Sequence, residues 1–109
     1  MDDVNLKTVT LTTKQVDGAD MFITNYPNPL NTQTTFTYNL PESGKVKLEV
    51  YDKLGKLINT LVDKDQNVGL HNLEVADFDL APGVYTYRLV LQGTVREYSA
   101  IKSMIVVRN

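Results

Sequence analysis

The sequence has 109 residues and a mass of 12.3 kDa, which fits one domain, because two separately folding halves would each be near the lower size limit for a hydrophobic core. Hydrophobic residues make up 42% and charged residues 22%, which excludes the polar composition of a disordered chain. The formal net charge of -2 disfavours binding of nucleic acid or anionic lipid through a basic surface, and the lack of cysteine excludes disulfides, thiol nucleophiles and cysteine-based zinc sites.

Residues 1–20 are predicted to be a leading strand or a linker, and residues 21–109 to be the domain proper. Four aspartates, at positions 2, 3, 17 and 20, make the leading segment locally acidic, and residues 5–12 are a weak strand candidate. The first residues lack the basic and apolar regions of a secretory signal peptide. No apolar run approaches the roughly 18 to 20 residues that cross a bilayer as a helix, so we expect a soluble chain with no export signal at this end.

From residue 21 onwards the hydrophobic pattern repeats every two residues, as it does in strands with one buried face. It is clearest in residues 45–52, where Val46, Leu48 and Val50 alternate with polar side chains. The same period recurs in residues 21–24, 35–40, 57–62, 70–75, 83–91 and 95–107. It is clear in residues 35–40 and 83–91 and weaker in the other segments. Turn signals separate these segments by roughly 8 to 12 residues, which predicts an all-β, two-sheet antiparallel sandwich of about seven or eight strands.

Two connections have a specific turn chemistry. In residues 52–56, Asp52 can start a type I turn and Gly55 can take a positive φ, which predicts a hairpin with a bulge. In residues 25–30, Pro27 and Pro29 fix φ and remove two backbone donors, so this segment cannot lie inside a sheet. We expect it to be a stiff, unpaired entrance to the domain.

The residues that could support catalysis or metal binding are few. The single histidine, His71, has no partners at the spacing of a hydrolase or zinc motif and is predicted to bond a neighbouring backbone group. Asp63 and Asp65, with Asp77 and Asp79, could offer oxygens to Ca²⁺ if their loops met, although aspartate is also a common turn residue. We therefore expect neither an enzyme nor a cofactor.

The aromatic residues and the last segment leave two alternatives open. Four tyrosines, at positions 51, 85, 87 and 98, could form a platform for polysaccharide, but inward-facing tyrosines on alternating strands more often belong to a core. Residues 95–109 combine Arg96, Lys102 and Arg108 with apolar residues, which predicts a final strand at or beside a sheet edge. The charges there either prevent edge-to-edge aggregation or mark an edge that a receptor reads by strand addition.

Six motifs in order give the chain a recognisable family pattern: YPNPLN at 26–31, YNLPESGKV at 38–46, VYDKLGK at 50–56, GLH at 69–71, LAPGVYTYRL at 80–89 and KSMIVV at 102–107. Over about residues 22–109 this order resembles the type A C-terminal sorting domain of the type IX secretion system, an immunoglobulin-like family. Leu30 stands where the family usually has an aromatic residue, Thr32 where a third proline is common, and Ser103 where a second lysine is frequent.

The resemblance implies an address for secretion, with no catalysis and no small-molecule or nucleic-acid ligand. Domains of this kind end larger cargo proteins, which fold in the periplasm, pass through the outer membrane after recognition by the translocon, and reach the cell surface or the medium. A sortase-like peptidase commonly removes the domain by cutting ahead of the proline motif. Matched to the family, the sorting positions are Tyr26, Pro27, Pro29, Gly83, Tyr85 and Lys102.

Two other functions compete with the sorting signal. A carbohydrate-binding or adhesion module of a multidomain surface protein would explain the tyrosines and the turn-rich loops. A structural spacer or a self-associating subunit would need the final strand for assembly and not for export.

Overall fold

A computed structural model describes residues 21–108, and this part of the chain is all-β, with seven strands and no helix. The strands are β1 (Phe22–Tyr26), β2 (Thr34–Leu40), β3 (Gly44–Tyr51), β4 (Leu57–Gln66), β5 (Gly69–Val75), β6 (Gly83–Gln92) and β7 (Glu97–Val106). Within residues 21–108 there is accordingly no helix that could span a membrane.

Two sheets form the fold, one with the order β1-β2-β5 and one with the order β4-β3-β6-β7, and all neighbouring strands are antiparallel. The all-β fold in two antiparallel sheets, predicted from the period of two, is thereby confirmed. Each predicted segment from residue 21 onwards corresponds to one strand, while the candidate at residues 5–12 lies outside the described residues.

The core lies between the two sheets and consists of the alternate residues that the sequence pattern marked. Val46, Leu48 and Val50 of β3 have no exposed surface, and the inward side chains of β2 and β6 pack against them. Phe36 meets Tyr87 edge to face, with ring centroids 5.0 Å apart. Since each large apolar side chain contributes about 1.5–3 kcal/mol when fully buried, this core fixes β6 and, through β6, the position of β7.

The hairpin between β3 and β4 has the predicted turn. The Asp52 carboxylate accepts hydrogen bonds from the backbone N–H groups of Leu54 and Lys56, both at 2.9 Å. Gly55 has a φ of +84°, a conformation that glycine adopts without steric cost.

Strand β4 is longer than the sequence pattern predicted. It continues to Gln66 because it is an edge strand, so its polar residues face solvent while their backbone pairs with β3. Asp63 lies opposite Lys47 and forms an ion pair with Lys45 at 3.5 Å. The placement of Asp63 and Asp65 in a loop was therefore wrong.

Candidate recognition surface

Strand β7 forms one edge of the four-stranded sheet, as the sequence predicted for the final segment. Its inner edge pairs with β6 over its whole length, from the pair of Gly83 and Val106 to the pair of Gln92 and Glu97. Its other edge faces the segment between β1 and β2, residues 27–33, which we call the proline loop. Each strand edge presents N–H and C=O groups of alternate residues, so the outward groups of β7 belong to every second residue.

Leu30 of the proline loop pairs with the end of β7 through its backbone. Its N–H donates to the Ile105 carbonyl at 2.9 Å, and its carbonyl accepts from the Val107 N–H at 2.8 Å. The two segments run parallel at this bridge. The Leu30 side chain has no exposed surface and belongs to the hydrophobic core, so the bridge is anchored from inside the sandwich.

Asn28 extends this pairing with its side chain. The Ile105 N–H donates to Asn28 Oδ1 at 3.0 Å, and Asn28 Nδ2 donates to the Ser103 carbonyl at 3.2 Å. Asn28 and Leu30 together satisfy four consecutive groups of this edge. These are the Ser103 carbonyl, the N–H and carbonyl of Ile105, and the Val107 N–H. The expectation of an unpaired proline segment was therefore wrong: prolines cannot donate a backbone hydrogen bond, but the residue between them supplies an amide from its side chain.

A buried polar network holds the proline loop against the core. Asn25 and Thr34 are the buried polar residues among those described. Asn25 Nδ2 donates to Thr34 Oγ1 at 3.3 Å, and Thr34 Oγ1 donates to the Pro27 carbonyl at 3.0 Å. Asn25 Oδ1 accepts from the Tyr87 hydroxyl at 3.0 Å and from Asn28 Nδ2 at 3.3 Å. Burial raises the pKa of Tyr87 to about 12, so the hydroxyl stays a donor at physiological pH.

The predicted sorting positions in the proline motif, Tyr26, Pro27 and Pro29, are all exposed. The Tyr26 side chain is 81% exposed, and it lines a cavity of about 190 Å³ together with Pro27 and Glu74. The bonds Tyr26–Pro27 and Asn28–Pro29 are both cis. Tyr26 lies on the surface at the start of the loop, and Leu30, four residues further on, pairs with β7.

Gly83 and Tyr85 support the same end of β7 from the other side. Gly83 lies opposite Val106, and Tyr85 lies opposite Met104. The Tyr85 hydroxyl donates to the Ala81 carbonyl at 2.6 Å. Gly83 has a φ of +157°, at the extended limit of the range that favours glycine. The motif residues of β6 and of the proline loop therefore flank one half of the closing strand.

The three basic residues of the last segment have different surroundings. Arg108 donates to the carbonyls of Asn31 and Leu80 and lies 4.0 Å from the Asp79 carboxylate. The guanidinium of Arg96 lies over the Tyr98 ring, 5.7 Å from its centroid. Lys102 is exposed, and no carboxylate within residues 21–108 lies at ion-pairing distance from it. Within residues 21–108, Lys102 thus has no ion-pair partner, whereas Arg96 contacts a ring and Arg108 contacts two carbonyls and a carboxylate.

Glu42, in the turn between β2 and β3, fixes the other end of β7. Its Oε1 accepts from the Thr94 N–H at 3.0 Å, and its Oε2 accepts from the Tyr98 hydroxyl at 2.9 Å. These hydrogen bonds, that of Thr94 first, hold the pKa of Glu42 below its ordinary value. A Cβ added to Gly93 would contact the Glu42 carboxyl group, so glycine at this turn allows the close approach.

The other candidate sites, His71 and the aspartate pairs, contact neighbouring groups of the domain. His71 stacks on Tyr38, with centroids 5.4 Å apart, and its Nε2 lies 2.7 Å from the Asn67 carbonyl, which confirms the predicted backbone contact. Among the residues described, no group of three or more metal-ligating side chains occurs. Asp63 pairs with Lys45 on β4, whereas Asp79 lies beside Arg108, so the two aspartate pairs have different partners.

The tyrosines do not form one exposed platform. Tyr85 and Tyr87 are 9% and 1% exposed and belong to the core, whereas Tyr51 and Tyr98 are partly exposed. Tyr51 lies on the opposite face of its sheet from Tyr87, because it follows the outward parity of Lys47 and Glu49. The interpretation as core residues is therefore confirmed for Tyr85 and Tyr87.

Sequence analysis missed Asn25, Asn28 and Glu42. Asn28 had one detectable signal, since it is a polar residue between two prolines that cannot donate a backbone hydrogen bond. Asn25 and Glu42 gave no signal, because their partners are 62 and 56 residues away in sequence.

The two antiparallel sheets define an all-β sandwich domain, and the proline loop covers part of the edge of its closing strand. A family model for the secretion system C-terminal sorting domain matches residues 24–106. Because the match covers most of the sequence, the chain belongs to this family of type IX secretion sorting domains.

Among solved structures, the chain is similar to FlgD from P. aeruginosa, with a TM-score of 0.50 and 21% sequence identity, over 83% of this chain and 65% of that chain. It is also similar to an engineered protein, with a TM-score of 0.47 and 12% identity, over 92% of this chain and 22% of that chain. The likeness to FlgD concerns the fold. No curated protein matches the sequence.

Proposed function

We propose that this domain is the C-terminal signal that directs an attached upstream cargo protein through the outer membrane by the type IX secretion machinery. The observation that carries the proposal is the extent of the family match, residues 24–106. This range includes both the proline loop and β7, which Asn28 and Leu30 join by hydrogen bonds. The motif at residues 26–31 and the motif at residues 102–107 thus contribute to one surface.

Recognition, in this proposal, depends on shape and charge. The surface consists of the exposed Tyr26, the proline loop and the free part of the β7 edge beside Lys102. Glu42 and Arg108 hold the two ends of β7, so its edge is presented in one conformation. A preorganised edge loses less conformational entropy when it binds a partner than a flexible tail does.

The remaining steps concern the cargo, residues 1–25 and the cell that makes the protein. The cargo domain folds in the periplasm, crosses the outer membrane and arrives at the cell surface or in the medium. A sortase-like peptidase then cuts ahead of the proline motif, within residues 1–25. Within residues 21–108 the first strand begins at Phe22, so a cut ahead of it would leave this sandwich whole.

The carbohydrate-binding alternative has less support. Its motivation was a tyrosine platform, and two of the four tyrosines are core residues whose hydroxyl groups bond within the domain. The proposed function therefore remains the sorting signal.

The experiment fuses the 109-residue chain behind a periplasmically exported fluorescent protein, in a host that carries this secretion system. We expect fluorescence at the cell surface or in the medium. A matched strain without the translocon should retain the fluorescence in the periplasm. Retention in both strains, with the domain folded by circular dichroism, would contradict the proposal.

A further inference from the structure

The free edge of β7 is divided at Ser103. Beyond this residue, Asn28 and Leu30 occupy the outward N–H and C=O groups of Ile105 and the N–H of Val107. Because the edge groups of a strand belong to alternate residues, the outward groups before Ser103 are those of Ser99 and Ile101. Within residues 21–108, no hydrogen bond is made to them. The open section therefore consists of residues 99–103, which are exposed except for the partly buried Ala100.

The side chains that border this section define what could pair with it. Ile101 is 61% exposed on the outer face of the sheet. Lys102 lies on the other face of the sheet, where Tyr87 of β6 is its cross-strand neighbour. It has no carboxylate partner in the described part of the chain. A segment added here would meet an apolar side chain on one face and the Lys102 ammonium group on the other.

We propose that the type IX machinery recognises this domain by adding an extended acidic segment antiparallel to β7 at residues 99–103. The inference rests on the proposed function and names the kind of partner. Backbone hydrogen bonds to Ser99, to Ile101 and to the N–H of Ser103 supply the affinity, and a carboxylate beside Lys102 supplies the charge complementarity. The proline loop ends the pairing at Ser103, because Asn28 already occupies its carbonyl, so the register of the added strand is set by the domain itself.

A second copy of the chain is a poorer occupant of this edge. In an antiparallel pair centred on Ile101, residue 102 of each copy lies opposite residue 100 of the other. The two Lys102 side chains would then lie diagonally across the pair on one face, within reach of each other. Like charges at this separation oppose pairing, whereas an acidic partner removes the repulsion.

The test uses the fluorescent fusion with single substitutions in the open section. Ile101→Pro removes the outward N–H and leaves the bonds of β7 to β6, which belong to the alternate residues, and proline is tolerated at such edge positions. Ile101→Val is its control, since it keeps the N–H and the β-branched side chain. Lys102→Glu reverses the charge, and Lys102→Gln removes it at similar size. Circular dichroism of each 109-residue variant checks folding, and size-exclusion chromatography with light scattering measures its mass.

We expect Ile101→Pro to lower export about tenfold, the equivalent of one lost hydrogen bond, while Ile101→Val exports normally. Lys102→Glu should reduce export more than Lys102→Gln. Unchanged export of folded Ile101→Pro overturns strand addition but leaves the proposed function intact, whereas failure of the unsubstituted fusion overturns the proposed function. The unsubstituted chain could also form a dimer that the Ile101→Pro substitution dissociates. If export is unchanged in that case, the edge binds a second copy of the chain, and the inference is overturned.

Discussion

The side chain of Asn28 lies beside the backbone of Ile105 at the place where a neighbouring strand would pair. Asn28 Oδ1 accepts the Ile105 N–H at 3.0 Å, and Asn28 Nδ2 donates to the carbonyl two residues earlier, that of Ser103, at 3.2 Å. A primary amide has one acceptor and one donor side, the same pair of functions that a residue of an adjacent strand presents. Asn28 therefore covers part of an edge that would otherwise be open to aggregation.

The first prediction concerns this pairing. In Asn28→Ala, the Ile105 N–H loses its acceptor, so its amide hydrogen should exchange faster with solvent. The Val107 N–H, which Leu30 accepts, should change less. We expect a loss of about 2–3 kcal/mol in the free energy of unfolding, because three hydrogen bonds, with Asn25, Ser103 and Ile105, are lost in a partly exposed site. Hydrogen exchange followed by NMR measures the first effect, and urea denaturation measures the second.

Asn28→Asp is the matched control for the exchange experiment. It retains the Oδ1 acceptor for Ile105 but loses the donor, so the Ile105 amide should stay more protected than in Asn28→Ala. If the Ile105 amide is equally protected in all three proteins, the side chain does not replace a strand.

The second prediction concerns Tyr87, whose hydroxyl donates to Asn25 Oδ1. Tyr87→Phe should cost about 1 kcal/mol in the free energy of unfolding, because Asn25 Oδ1 still accepts from Asn28. Combining Tyr87→Phe with Asn28→Ala removes both donors and leaves a buried acceptor unsatisfied. The double variant should therefore lose more stability than the sum of the single variants, and urea denaturation of the four proteins measures the difference. Strict additivity would contradict the shared acceptor.

The third prediction concerns alkaline pH. Burial raises the pKa of Tyr87 from 10.0 to about 12, so the folded protein keeps a proton that the unfolded chain loses. Stability from this group is complete below pH 10 and declines as the pH rises towards 12. Tyr87→Phe should reduce this decline, although Tyr38 and Tyr51, whose pKa values are also raised, leave part of it. Denaturation between pH 8 and pH 12 tests this, and identical slopes for the two proteins would contradict it.

The fourth prediction concerns acidic pH and Glu42. The hydrogen bonds from Thr94 and Tyr98 lower the pKa of the Glu42 carboxyl group, so the folded protein releases its proton more readily than the unfolded chain. The resulting stability is present above the ordinary pKa and is lost as the pH falls through the lowered value. The difference in stability between the unsubstituted protein and Glu42→Gln should therefore shrink as the solution is acidified. Tyr98→Phe removes one of the two donors, so it should raise the pKa of Glu42 in an NMR titration. No change in that titration would exclude the Tyr98 contribution.

The fold was predictable because its signal is local. Val46, Leu48 and Val50 alternate with polar residues within one short segment, and the same alternation appears in β6. The length of β4 was not predictable in this way, because Asp63 and Asp65 are stable in a strand only where one edge and one face are exposed, and that depends on the order of strands in the sheet. Local alternation thus identifies strands, while sheet order decides how far polar residues extend them.

The candidate site was predictable only in part. The family motifs identified Tyr26, Gly83 and Lys102 as positions to examine, but they gave no indication that the proline loop lies along β7. That arrangement depends on hydrogen bonds between residues separated by 75 or more positions in sequence, such as Asn28 with Ser103 and with Ile105. A polar residue between two prolines looks like any turn residue until its distant partners are known.

The last prediction distinguishes Lys102 from Arg108, two of the three basic residues of the last segment. Arg108 donates to two backbone carbonyls, those of Asn31 and Leu80, and lysine cannot reproduce both contacts because it lacks the planar fork of the guanidinium group. Arg108→Lys should therefore lower the free energy of unfolding by about 1 kcal/mol. Lys102→Gln should change it by less than about 0.5 kcal/mol, because Lys102 is exposed and has no partner in residues 21–108.

Export of the fluorescent fusion should show the opposite order: Lys102→Gln lowers it at unchanged stability, while Arg108→Lys lowers it only as far as the folded fraction falls. Urea denaturation and export, measured on the same two variants, give the comparison. If Lys102→Gln is the more destabilising substitution, Lys102 has a structural role and is not free for a partner. If export follows stability in both variants, the charge at position 102 does not contribute to recognition.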